Sequence, residues 1–399
     1  MLKDNITGLL LFSCAAAILL LSGCKGAAIP KSQAVNVPEK ISSRSSATAQ
    51  AQKIAIGTQQ GGARQGVTLN LKNVVSTIAG KIGMAGSSDG SDTQAGFDSP
   101  KAVATDGVNL YLADSNNHTI RKIDIATGMV TTLAGLAGKK GSRDGKGAVA
   151  RFNRPFAITT DGGNLYVTDS NNHTIRQLDI DTGTVTTIAG GVGEVGYVDG
   201  TGRRARFFIP EGITTDGKYL YVSDTHNHSI RKISLANYAV TTIAGLSGAP
   251  GFFDDVGTKA RFSSPKGITT DGQYLYVADF GNNQIRKISL KGGAVTTLSG
   301  KVLNTENAVE QADAARFNYP SGITTDGRNL YVADTFNRTI RRIAISTGVV
   351  TTIAGAEEKE GSVDGAGEEA HFTDPVGITT DGSALFVTDS TDYIVRKIR

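Results

Sequence analysis

Six residues that each directly follow a proline in a repeated pattern differ in chemistry: Lys101, Phe156, Glu211, Lys266, Ser321 and Val376. A structural demand repeated six times would select one residue type, so a position that mixes ammonium, carboxylate, hydroxyl and aromatic groups is a candidate ligand contact. The competing account is an exposed position free to drift. Ser115, His226, Phe280 and Phe336, at polar corners of the same pattern, are candidate outer contacts, because exposed aromatic rings stack on sugars or on partner side chains. Recognition is the chemistry these groups favour. Glu211 is the sole carboxylate among the six, and no Ser/His/Asp set stands out for acid–base or nucleophilic work. Reversing both Lys101 and Lys266 to Glu is expected to abolish capture of an anionic ligand and to leave stability nearly unchanged.

Other series admit a structural reading. Arg151, Arg206, Arg261 and Arg316, with His371 in the last unit, could gather an anion or pair with Asp144, Asp199 and Asp254 in the same links; Arg316 lacks such a partner, Val309 standing in its place. The Asp114, Asp169, Asp224, Asp279, Asp334 and Asp389 series, with Asn three residues on in five units, reads as turn-holding. Arg121, Arg176, Arg231, Arg286, Arg341 and Arg396 are expected to pair with acidic turns, and Phe97, Phe152, Phe207, Phe262, Phe317 and Phe372 to wedge between units. His118, His173 and His228 occupy equivalent places, so a repeat holds them apart and does not converge them on one ion. Ser88-Asp89-Gly90-Ser91-Asp92 lacks calcium-loop spacing and the terminal Glu, and no metal or other cofactor is expected.

The elements that must position these residues follow from the period. Pro100, Pro155, Pro210, Pro265, Pro320 and Pro375 are spaced by 55 residues without a slip, as are Gly80, Gly135, Gly190, Gly245, Gly300 and Gly355. A unit of that length is a propeller blade or a solenoid turn. Within residues 152–190, four β-prone runs are separated by Asp161-Gly162, by the Asp169–Asn172 corner and by Asp181-Thr182-Gly183, and no helical period is present. The prediction is an all-β, six-bladed β-propeller of four-stranded antiparallel blades. The last unit stops after its third strand at Ile398, and the missing strand stands before the first unit as Val74–Gly80, so the ring is expected to be closed by the N-terminal strand. That strand is expected to be outermost in its blade. The long links and the Asp corners emerge on one face, which is therefore the candidate functional face.

Pro210-Glu211-Gly212-Ile213-Thr214-Thr215-Asp216-Gly217, then Leu220–Asp224 and Asn227–Ile233, resembles an NHL repeat, and the resemblance covers all six units. It departs in the last unit, with Asp392 for Asn and Tyr393 for His, and in the first, with Lys101-Ala102-Val103 for X-Gly-Ile. The resemblance implies a non-catalytic recognition platform. The alternative it implies is a metal-dependent propeller hydrolase or lyase with its site at the central channel, which needs carboxylates and amides or histidines converging on the axis.

The N-terminus reads as an address. Lys3, an apolar run from Leu9 to Leu21, and Leu21-Ser22-Gly23-Cys24 resemble a bacterial lipobox, which implies a signal peptide over residues 1–23 and lipidation of Cys24. Lys25 after the cysteine implies the outer membrane. Residues 24–70, rich in Ser, Ala, Gln and Gly, read as a disordered tether, and the propeller is placed at 71–399. The tether carries +5 of a net charge of +4, leaving about −1 for the propeller, and phosphate neutralisation needs clustered cations, so no nucleic acid is expected as partner. The expected partners are an envelope protein, peptide or glycan, and the membrane through Cys24.

Overall fold

The computed structural model describes residues 68–300 and 316–399. The period-2 runs form strands because each has apolar residues to bury and a turn to reverse it. In the third repeat the strands are Pro210–Thr215, Tyr219–Asp224, Ser229–Ser234 and Ala239–Ala244. The register pairs Ile213 with Val222, Val222 with Arg231, and Arg231 with Thr242. Gly217, at φ 86°, takes the left-handed turn between the first two strands. Beside it the Tyr221 hydroxyl donates to Asp216 Oδ2 at 2.9 Å, fixing that turn to the sheet.

Every unit repeats this antiparallel order, giving six sheets. Their innermost strands are Pro100–Thr105, Pro155–Thr160, Pro210–Thr215, Pro265–Thr270, Pro320–Thr325 and Pro375–Thr380, in blades 1 to 6. Each innermost strand neighbours the next, and that of blade 6 neighbours that of blade 1, so the ring is closed around an axis. Closure is made as expected: Val74–Gly80 pairs antiparallel with Ile394–Ile398, with Val75 opposite Ile398. Two expectations are corrected. The latch strand is not outermost, because the two-residue strand Gly365–Ala366 pairs with Val74 and Val75 outside it. Similar two-residue strands from the preceding link cover blades 1, 2 and 3, which shortens their exposed edges. The packed chain also starts before residue 71, since Leu69 is buried and its N–H donates to Asp326 Oδ2 at 3.2 Å. Residues 1–67, on which the expected signal peptide, Cys24 and nearly all of the expected tether fall, lie outside the described residues.

The core is six layers between blades, not one central mass. One layer joins Tyr166, Ile175 and Ile188 of blade 2 to Phe207, Ile213 and Val222 of blade 3. The layer that closes the ring joins Phe386 and Val395 of blade 6 to Phe97, Leu110 and Leu112 of blade 1.

In blades 1 to 4 the Asp, Asn, Arg and Phe series together hold the blade to its link, as the sequence indicates. Asp224 Oδ1 accepts the Phe208 N–H at 2.8 Å, and Oδ2 accepts from Asn227 Nδ2 at 2.8 Å and Arg231 Nη1 at 2.7 Å. Arg231 Nη2 reaches Asp199 Oδ1 at 2.8 Å, and its guanidinium lies 5.0 Å from the Phe207 ring centre. Burial pushes the Asp224 carboxyl up to about 6, against the pull of Arg231. Breaking such a buried pair from one side costs roughly 3–5 kcal/mol.

Candidate functional site

The innermost strands converge on the axis because only small groups fit between them. A Cβ on Gly212 would stand 1.9 Å from the Lys266 carbonyl, and one on Gly267 2.2 Å from that of Ser321. In five of the six strands the residue before that small one lines the mouth of the channel. Lys101, Phe156, Glu211, Ser321 and Val376 line one open cavity of about 70 Å³ there, together with the Gly or Ala and the Ile or Val that follow in the innermost strands. Lys266 stands beside them. The structure thus brings all six variable positions to one place.

Two ion pairs span neighbouring blades at this mouth. Lys266 Nζ is 3.4 Å from Glu211 Oε2, and Lys101 Nζ is 3.7 Å from Asp374 Oδ2. Lys266 is also held over two rings, with its Nζ 3.9 Å from the Phe280 centre and 5.5 Å from that of Phe156. Glu211 Oε2 is buried and has no hydrogen-bond partner among the described residues. Burial lowers the Lys101 pKa below the ordinary lysine value; Asp374 opposes the shift, and the ammonium of Lys266 adds to it. Blades 1 and 4 are opposite in a ring of six, so the two lysines face each other across the channel.

These contacts correct the expectation that reversing both lysines is nearly neutral. A glutamate at 266 would face Glu211 and one at 101 would face Asp374, replacing two attractions by two repulsions.

The corner residues divide into three cases. Phe280 and Phe336 are joined through a residue the sequence reading missed, Tyr319, with ring centres 4.8 and 4.9 Å from it. Tyr319 and Phe336 are 38% and 57% exposed, so the row from Lys266 to Phe336 opens to solvent. His226 is exposed and stands edge-on to Phe208, with centres 4.9 Å apart; Phe208 in turn is 5.9 Å from His173. Ser115 is buried at 2% exposure, which corrects its assignment as an outer contact.

The Arg151 series also needs correction. Asp144, Asp199 and Asp254 pair with Arg176, Arg231 and Arg286. Arg151 and Arg261 donate instead to carbonyls of their own short turns, at Ala150 and Ala260, and Arg206 pairs with Glu194. Arg316 is exposed, and its carbonyl accepts from Asn337 Nδ2 at 3.2 Å. No ring of guanidinium groups is assembled.

Tyr319 and Asp374 were legible by the same logic that found Lys101. The residue before each proline also varies, as Ser99, Arg154, Ile209, Ser264, Tyr319 and Asp374. Among the described residues no group of three or more His, Cys, Asp or Glu side chains is placed to hold a metal ion, and no helix is long and apolar enough to cross a membrane.

A closed ring of six antiparallel sheets with its variable residues at one channel mouth defines a six-bladed β-propeller. The NHL repeat family model matches residues 152–178, and this chain is an NHL-repeat β-propeller. It is 30% identical over 316 residues to NHL repeat-containing protein 2 of Bos taurus, covering 70% of this chain and 43% of that protein. The Gallus gallus protein of the same name is 29% identical over 322 residues, covering 72% and 44%. The chain therefore spans less than half the length of the curated relatives it matches. Among solved structures, a Bacteroides thetaiotaomicron protein of unknown function superposes with a TM-score of 0.61 at 22% identity, covering 82% of this chain and 75% of that one. An auxiliary nutrient binding protein from the same organism gives 0.59 at 18% identity, covering 82% and 76%. At these identities the likeness is one of fold.

Proposed function

We propose that the chain is a non-catalytic binding platform of the bacterial cell envelope, exported, lipidated on Cys24 and held at the outer membrane. It presents its loop-bearing propeller face to a protein, peptide or glycan. The observation that carries this reading is the convergence of six residues of five types on one open channel mouth inside an otherwise repeated frame. The frame residues are spent on holding blades together, whereas the mouth residues are not dictated by the repeat. The name of one structural neighbour, an auxiliary nutrient binding protein, agrees with a binding role. A glycan and peptide array probed with the protein tests the reading, alongside metal analysis and lactone and ester turnover assays. Saturable capture without turnover is expected. A stoichiometric axial ion with turnover would replace this reading by the hydrolase or lyase one.

A further inference from the structure

Both ion pairs at the mouth leave polar capacity unspent. The 3.4 Å between Lys266 and Glu211 and the 3.7 Å between Lys101 and Asp374 are ion-pair distances longer than the usual charge-assisted hydrogen bond. Glu211 Oε2, the buried atom that Lys266 approaches, accepts no well-formed hydrogen bond among the described residues. A ligand suited to this mouth must therefore offer acceptors to ammonium groups and donors to carboxylates within a short distance. A simple anion would satisfy the lysines and face Glu211 and Asp374; a simple cation would do the reverse. A pair of adjacent hydroxyls does both, since each hydroxyl donates once and accepts twice.

The cavity, at about 70 Å³, has the room of roughly two waters, enough for the hydroxyl edge of one ring and no more. The rest of a ligand must lie on the surface beside it, where Phe280, Tyr319 and Phe336 run outward from Lys266 over blades 4 and 5. Phe280 is half-buried with the Lys266 ammonium over its ring, whereas Tyr319 and Phe336 are exposed and offer surface for stacking. Single-stranded nucleic acid would share the stacking, but its phosphates need unpaired cations, and each lysine at the mouth already faces a carboxylate.

We propose that the channel mouth and the adjoining aromatic row form a saccharide-binding site. In it the hydroxyls of one sugar exchange hydrogen bonds with Lys266 and Glu211, and further sugars of the same chain stack on Tyr319 and Phe336. The assignment rests on the platform reading above and names its ligand class.

The test is calorimetry of the full chain with a panel of cellohexaose, xylohexaose, mannohexaose, hexagalacturonate and chondroitin sulfate hexasaccharide, plus arrayed peptides and a single-stranded RNA oligomer. At least one oligosaccharide is expected to bind. Phe336→Ala, at an exposed position, is expected to weaken it tenfold or more, and Lys266→Met and Glu211→Gln each to weaken it similarly, with circular dichroism unchanged. If only the chondroitin sulfate binds and Glu211→Gln tightens it, the mouth is an anion site and the hydroxyl-pair assignment falls. Sugar binding indifferent to Phe336→Ala and Glu211→Gln also overturns it. Capture of peptide or RNA with no sugar bound overturns the saccharide assignment and leaves the platform standing; no capture of any probe overturns both.

Discussion

The Nδ1 atom of His228 accepts the backbone N–H of Ser264, in the next blade, at 2.9 Å. His118 does the same for Arg154 and His173 for Ile209, each at 3.2 Å, and in blade 4 the Oδ1 of Asn283 does it for Tyr319 at 2.7 Å. All four residues sit at positive φ, between 55° and 60°, so the corner that turns the chain also clips neighbouring blades together.

A pH dependence follows from the three histidines. Nδ1 can accept only while the imidazole is neutral, and burial lowers all three pKa values from the ordinary 6.5. A lowered histidine pKa means the unfolded chain binds more protons, so this part of the stability is complete above about pH 6.5 and is lost as pH falls through the depressed values. Replacing His118, His173 and His228 by Asn, the residue blade 4 already uses, is expected to flatten thermal stability between pH 7 and 5 relative to the parent. Scanning calorimetry across that range checks it. Parallel curves would show that the clips do not titrate.

Blade 6 breaks the Asp/Asn pattern, and this carries its own sign. In blade 1 Asn117 Nδ2 donates to Asp114 Oδ2 at 2.8 Å, whereas in blade 6 Asp392 brings a second charge near Asp389. Burial chiefly, with the charge of Asp392 adding to it, pushes Asp389 up to about 6. A raised carboxyl pKa gives stability that is complete below the unfolded value of 3.8 and lost as pH rises through about 6. Asp392→Asn is therefore expected to stabilise by about 1 kcal/mol at pH 8 and by much less at pH 5, read from denaturant midpoints. An equal gain at both pH values would exclude the charge explanation.

The wall of the channel is intolerant of a methyl group. Gly212→Ala places a carbon against the Lys266 carbonyl and is expected to cost roughly 1–3 kcal/mol, with loss of the Lys266–Glu211 geometry. Gly217→Ala, at a turn with open space around it, would cost less, from backbone strain alone. Urea unfolding of the two variants compares them directly.

Removing residues 71–80 leaves the outer edge of Ile394–Ile398 unpaired, because the two-residue strand outside the latch pairs with the latch and not with that edge. Concentration-dependent association is expected in size-exclusion chromatography. A monodisperse, equally stable deletion variant would show that closure does not depend on this strand.

Cys24→Ser is expected to move the protein from the membrane to the soluble fraction and to abolish incorporation of labelled palmitate. Unchanged fractionation would remove the lipid anchor from the account.

The sequence by itself determined the period, the blade count, the closure and the split between frame and variable residues. Each of these is written in spacing: a 55-residue interval repeats, and a strand missing at Ile398 is found at Val74. It also determined that the Asp, Asn and Arg series hold turns, since the same residue types recurring in five or six units meet matching local surroundings. The tertiary structure alone decided which groups meet across blades. The assignment of Asp144 to Arg176 and not to Arg151, the pairing of Lys266 with Glu211, and the row that makes Tyr319 a partner of Phe280 and Phe336 join residues 17 to 55 positions apart in the chain. The physical reason is that a repeat fixes where each Cα lies in its own blade. Side-chain reach between adjacent blades depends on their twist and separation, which no single unit encodes.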